Sequence, residues 1–269
     1  MGKVIGIISI KGGVGKTTIS ASIASDLAKN YGKKVLLIDA NYSAPNLGIH
    51  MNITSPKNTI HDVLSGRAGL KSAIHRSYGV DVIPGSVMYD KNLSHFKLKD
   101  KIEKFKSEYD FIVLDSSPSM NDEILSTMLA SDHLFVVSTP DYPTMVNSLK
   151  AAVLAKQRGK NISGIIVNKV RDPNYELSIE EIEDSTNIPV VAKIPDDYTS
   201  VRALFSMMPV PVYNKYSAMA KEINKLNGAL TFTPAKRSFF AKMFPSSVGK
   251  ETVNREILKQ SFYESVFEG

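Results

Sequence analysis

Residues 11–18 read KGGVGKTT, a run of residue types that could do chemistry on a phosphate. Three glycines within five positions, followed by a lysine and a threonine, let backbone N–H groups surround an anion. In such a loop Gly12, Gly13, Val14, Gly15 and Thr18 form the cradle, Lys16 reaches the β- and γ-phosphates, and the Thr17 hydroxyl ligates Mg²⁺. Mg²⁺ takes hard oxygen ligands, so a carboxylate is needed beside the loop. Asp115, ending the apolar run FIVL, is the first candidate, and Asp39, ending VLLI, is the second. The bland alternative for both is an aspartate in a strand-end turn.

These groups must be held by elements on either side of them. VIGIISI (Val4 to Ile10) is a short β-branched run, and residues 17–29 have helical periodicity, so the loop joins a strand to a helix N-terminus, where the dipole favours phosphate. Further strand-like runs cover 35–39, 80–84, 111–115, 133–139, 163–168 and 189–194. Helical spacing covers 91–106, 122–130, 144–158, 178–184 and 214–226. Apolar strands alternating with helices predict an α/β fold, a doubly wound, mainly parallel sheet of the P-loop type with helices on both faces. Asp39, Asp115, Thr139 and Asn168 end strands, and ligands in such sheets collect beyond the carboxyl ends of strands.

The chain has 269 residues, 43% hydrophobic and 22% charged, enough for one large core. Its formal charge of +6 suits an anionic partner without choosing among nucleotide, membrane and nucleic acid. With no cysteine, there is no disulfide, cysteine-bound zinc, iron–sulfur cluster or thiol nucleophile. The five histidines show no ligand spacing. The first strand follows Met1 without a basic-then-apolar leader, and no apolar run nears the ~20 residues of a membrane span, so the expected location is the cytoplasm.

The lysine opening the loop, with LLIDAN, FIVLDSSPS and IIVNK at their places, gives a combination that resembles the MinD/ParA family of deviant Walker A ATPases, the MinD branch most of all, over about the first 225 residues. The resemblance implies ATP and Mg²⁺ as cofactors and a face-to-face homodimer formed on ATP binding. In it, Lys11 reaches the partner's phosphates, Lys16 serves its own subunit, and Asp39 and Asp115 position the metal through waters. It also implies that Asn168 reads adenine and that Pro195 to Asp197 form the second adenine-side segment. One departure stands out. Where the family has a second aspartate that orients the attacking water, this chain has Asn41, which can hold a water but lacks the charge that helps accept a proton. Slow hydrolysis is expected, unless Asp122 or a partner's residue supplies the function and Asn41 is only a polar loop residue.

The ATPase domain is expected over 1–228, a connector over 229–234 and a tail over 235–269. In the tail, Phe239, Phe240, Met243 and Phe244 fall at helical spacing among Lys236, Arg237 and Lys242, without an acidic residue through 244. A short basic helix (235–244) with a bulky apolar face suits an anionic membrane surface, as in the C-terminal targeting helix of MinD proteins, rather than packing on its own domain. A second helix is expected over 251–267, with Val253, Ile257, Phe262 and Val266 roughly along one side; docking on the domain ranks ahead of shielding the basic helix or binding a partner.

The reading is therefore a membrane-associated, ATP-dependent dimeric switch at the inner face of the cell membrane, acting with an unidentified protein regulator or cargo. The alternative is a ParA-type partition ATPase whose dimer binds DNA, less favoured because the sequence has no helix-turn-helix pattern and no obvious basic stripe.

Overall fold

The computed structural model describes residues 2–88, 93–172, 174–232 and 249–267, with side chains through Phe262. The chain opens with β1 (Lys3–Ile8) and α1 (Lys16–Tyr31), followed by β2 (Val35–Ala40) and two short helices, α2 (Leu47–His50) and α3 (Ile60–Ser65). Next come β3 (His75–Ser77), β4 (Val80–Ile83), α4 (Lys97–Glu103), β5 (Phe111–Ser116), α5 (Asp122–Ala130) and β6 (His133–Ser138). The remainder holds α6 (Tyr142–Gln157), β7 (Ile162–Val170), α7 (Ile179–Thr186), β8 (Val190–Pro195), α8 (Tyr198–Phe205), α9 (Val210–Tyr213), α10 (Ala218–Leu230) and α11 (Lys250–Phe267).

The strands form one sheet in the order β3-β4-β2-β5-β1-β6-β7-β8, parallel except for β3, the antiparallel edge beside β4. This is the doubly wound arrangement expected. Every residue of β2 and β5 is buried, because helices cover both faces and leave no solvent side. Alternation along β1 divides the core: Ile5 and Ile7 pack on the α1 and α10 side, whereas Val4 and Ile8 face the opposite layer.

Several boundaries differ from expectation. The helix expected over 91–106 is confined to α4, residues 97–103, and 89–92 lie outside the described residues. The helix expected over 214–226 starts only at Ala218, where the Ser217 hydroxyl accepts the Ala220 N–H at 3.1 Å, and it continues through Gly228 to Leu230. Its burial against α1 outweighs the glycine's low propensity. The edge strand β3 and helices α2, α3, α8 and α9 were not expected; β3, α2, α3 and α9 are too short for a periodic signal.

Helix α11 lies beside α10 and β8, the docked arrangement ranked first. The buried face overlaps the expected one only at Phe262, however. Asn254, Arg255, Leu258 and Phe262 are buried, while Val253 and Ile257 are 50% and 59% exposed. The reason lies in the sheet edge. Among the described residues, β8 offers carbonyls with no neighbouring strand, and α11 answers them with polar side chains: Asn254 donates to Val190 O at 2.7 Å and Arg255 to Val191 O at 3.1 Å. The basic segment 235–244, with Lys236, Arg237, Phe239, Phe240, Lys242, Met243 and Phe244, lies outside the described residues, as does the side chain of Val266.

Candidate functional site

Strand register brings the site residues together. β1, β2, β5 and β7 end on one side of the sheet, and parallel pairing sets Asp39 directly beside Asp115. A cleft of about 770 Å³ opens above them, lined on one wall by Gly12, Gly13, Gly15, Lys16, Thr17 and Thr18. Asn41 and Asn46 form a second wall, and Lys169, Asp197 and Val201 a third.

The loop needs its glycines for geometry. Gly13 and Gly15 have φ of 77° and 96°, and a Cβ at Gly15 would stand 2.4 Å from the Asn168 amide nitrogen. Gly15 caps α1 in the left-handed conformation, so the first amides of the helix face the cleft. Val14 is buried in the core and takes part through its backbone. The Lys16 side chain is nearly covered, 3.5 Å from the Lys11 carbonyl; burial lowers its pKa, opposed by the charge of Asp115.

Asp39 and Asp115 are both fully buried. Burial drives the pKa of each upward, and the charge of Asp115 drives Asp39 further. Asp115 accepts the Ser20 hydroxyl at 3.0 Å on one oxygen, while its other oxygen is buried without a hydrogen-bond partner. Two crowded carboxylates and an unanswered oxygen fit a divalent cation at this place. Asp39 also holds the following loop: its oxygens accept the Asn41 N–H and the Leu47 N–H, each at 3.1 Å. Asn41 is pinned at one end, its amide nitrogen donating to Ala44 O at 2.6 Å, and its side-chain oxygen is buried with no partner. The Thr17 hydroxyl donates to Asn46 at 3.0 Å.

Asn168 also reaches the phosphate loop. Its amide nitrogen donates to Val14 O at 2.8 Å, so that end of the side chain braces the phosphate loop. The next residue, Lys169, sits at φ 58° and donates from Nζ to Gly13 O at 2.8 Å, a second brace on the same loop. Lys169 was missed as a site residue, although the lysine in IIVNK at a strand end was the available signal. Asp197 lines the cleft and caps α8 by accepting the Thr199 N–H; Pro195 is exposed and is not on the cleft wall. Lys11 is also set apart: its ammonium donates to the Thr144 hydroxyl at 2.7 Å and lies 3.5 Å from Asp141, at the start of α6.

A glycine loop between β1 and α1, a buried lysine and two strand-end aspartates define a P-loop nucleotide-binding protein on a doubly wound sheet. Comparison narrows the class. A family model described as an AAA domain matches residues 2–170. An uncharacterized ATP-binding protein of Methanocaldococcus jannaschii is 33% identical over 234 residues, 86% of this chain and 89% of its own. The cell division ATPase MinD of Pyrococcus furiosus superposes with a TM-score of 0.79 at 30% identity, over 84% of this chain and 97% of that one. The septum site-determining protein MinD of Pyrococcus horikoshii, complexed with Mg-ADP, gives 0.80 at 27% identity, over 92% and 100%. The chain belongs to the MinD/ParA family of P-loop ATPases.

Proposed function

We propose that this chain is a dimeric switch of the MinD type: it binds Mg-ATP, dimerises on it, attaches reversibly to an anionic membrane at the inner face of the cell membrane, and positions a cellular assembly such as division or surface machinery. The observation that carries the reading is the divergence of two lysines from one loop. Lys16 is enclosed beneath its own loop, whereas the Lys11 side chain is 40% exposed and directed outward to α6, where a partner subunit's phosphates could be reached. The solved relative that holds Mg-ADP supports the cofactor assignment.

In this reading Lys16 and the amides of Gly13 to Thr18 bind the phosphates, and Thr17 with Asp115 hold Mg²⁺, Asp39 supporting it through the 41–47 loop. When bound, the metal neutralises charge developing on the phosphates. Asn41 Oδ1 orients a water as a hydrogen-bond acceptor of modest strength, which keeps turnover slow. Asn168 and Asp197 border the adenine side. Among the described residues no helix is long and apolar enough to cross a membrane, so attachment falls to the basic segment 235–244, with two copies in a dimer gaining effective concentration.

Co-sedimentation with anionic vesicles in ATP and in ADP, beside a DNA-binding assay, tests the proposal. ATP-dependent sedimentation that vanishes in Phe240→Glu/Phe244→Glu is the expected result. ATP-dependent DNA binding without sedimentation would replace this reading with the partition ATPase.

A further inference from the structure

Helix α2 begins at Asn46, and an asparagine at a helix start ordinarily turns its side-chain oxygen onto the first free amides of the helix. Here it does not. The Asn46 side chain makes no capping bond, and the Leu47 N–H is taken by the Asp39 carboxylate at 3.1 Å. Asn46 Oδ1 turns instead to the nucleotide cleft, whose wall it helps to form, and accepts the Thr17 hydroxyl at 3.0 Å. Two contacts fix where it stands. Asp39 holds the loop on both sides, through the N–H groups of Asn41 and Leu47. Behind the loop, Pro45 packs so closely on Gly85 that a Cβ at Gly85 would lie 2.3 Å from Pro45 Cβ. The loop's other asparagine, Asn41, has its amide nitrogen on Ala44 O and does not reach Thr17.

A hydroxyl carries one proton and two lone pairs, and it rotates to suit its partners. A hard cation takes lone pairs and is repelled by the proton. Two acceptors compete for that proton at Thr17. Burial raises the pKa of Asp115, and the Thr17 hydroxyl, near enough to act on it, pulls the other way. With the proton on Asn46 Oδ1, the Thr17 lone pairs are left free, and so is the Asp115 oxygen that has no hydrogen-bond partner.

We propose that Asn46 is a positioning residue for the divalent cation: by accepting the Thr17 proton it presents the Thr17 oxygen, lone pairs outward, to Mg²⁺. The proposal rests on the Mg-ATP reading above and adds to it a residue that acts through Thr17. Asp39 then bears on the same hydroxyl from a distance, by way of the Leu47 N–H and the Asn46 side chain.

The test uses the full chain and AMP-PNP, so that hydrolysis does not enter, with affinity measured by isothermal titration in EDTA and in saturating Mg²⁺. The ratio of the two affinities reports the coupling between nucleotide and cation. Asn46→Ala removes one hydrogen bond at the metal ligand and should cut that ratio by about three- to tenfold, while the affinity in EDTA changes by less than about twofold. Asn46→Ser, which still suits a helix start but is too short for Thr17, should behave like Asn46→Ala. Asn46→Asp keeps an acceptor at the same reach and should hold the wild-type ratio or exceed it. Thr17→Val removes the hydroxyl, and adding Asn46→Ala to it should lower the ratio no further. An unchanged ratio in Asn46→Ala, an equal loss in EDTA and in Mg²⁺, a loss in Asn46→Asp as large as in Asn46→Ala, or full additivity with Thr17→Val overturns the assignment and leaves the Mg-ATP reading standing. A wild-type chain that binds no AMP-PNP, or binds it equally with and without Mg²⁺, overturns that reading and this assignment with it.

Discussion

The Lys11 ammonium lies 2.7 Å from the Thr144 hydroxyl, across the gap between the phosphate loop and the N-terminus of α6. Asp141, which caps α6 by accepting the Thr144 N–H at 2.9 Å, stands 3.5 Å from the same ammonium. One loop therefore sends two lysines to two places. Lys16→Ala should abolish ATP binding, whereas Lys11→Ala should bind ATP normally and lose the ATP-dependent dimer. Light scattering with and without ATP checks this, and a Lys11→Ala protein that still dimerises would refute a role across the interface.

Asn41→Asp should accelerate hydrolysis. The wild-type amide is anchored on Ala44 O and presents only a neutral oxygen, whereas a carboxylate can accept a proton; general-base assistance contributes about 10²–10⁴ in rate. Part of that gain is lost, because the new charge joins the buried Asp39 and Asp115 and gives up the bond to Ala44. At saturating Mg²⁺ a gain of about tenfold or more in single-turnover rate is expected. A rate equal to wild type would make Asn41 a bystander.

Bracing of the phosphate loop by β7 gives a third prediction. Gly15→Ala must accommodate both φ 96° and a Cβ 2.4 Å from the Asn168 amide, and should lose ATP binding. Lys169→Ala removes a charge-assisted bond to Gly13 O, worth about 1.5–3 kcal/mol where it is sheltered and less at this exposed position. ATP affinity should fall by roughly three- to tenfold with the fold intact. Isothermal titration of both variants measures it.

The docking of α11 rests on a buried ion pair. Arg255 and Glu222 have side chains only 6% and 9% exposed, and Arg255→Ala leaves that carboxylate with Lys225 alone, at 3.0 Å and half exposed, so the cost should fall at the low end of about 3–5 kcal/mol, read as loss of hydrogen-exchange protection across α11 and α10. Replacing both residues by Met and Leu should recover most of it.

Acidification should loosen the same helix. Glu183 is partly buried, but its bonds from Lys250, the Val190 N–H and Asn254 outweigh that burial and hold its pKa below the ordinary 4.5. A depressed carboxylate stabilises the docked state above its unfolded pKa and ceases to do so as pH falls through the folded value. His133, stacked on Phe262, is pushed down to about 4 by burial, so the docked state binds fewer protons than the undocked one between pH 6.5 and 4. Both effects have one sign. Hydrogen exchange in α11, corrected for intrinsic rate, should accelerate below pH 6.5, and equal protection at pH 7.5 and 4.5 would contradict the assignment.

The fold and the phosphate loop were legible in the sequence because both are written locally. A strand, a glycine loop and a helix are contiguous in residues 3–31, and each strand that carries a site aspartate has a buried run ahead of it. What the tertiary structure decided are relations between distant segments. Asn168 and Lys169 brace a loop more than 150 residues earlier, which depends on β7 lying two strands from β1. The face that α11 buries departs from its apolar pattern for a related reason. Apolar periodicity marks the side of a helix that leaves water, but α11 docks on a sheet edge whose free carbonyls take Asn254 and Arg255, and the cost of leaving such groups unpaired exceeds that of exposing Val253 and Ile257.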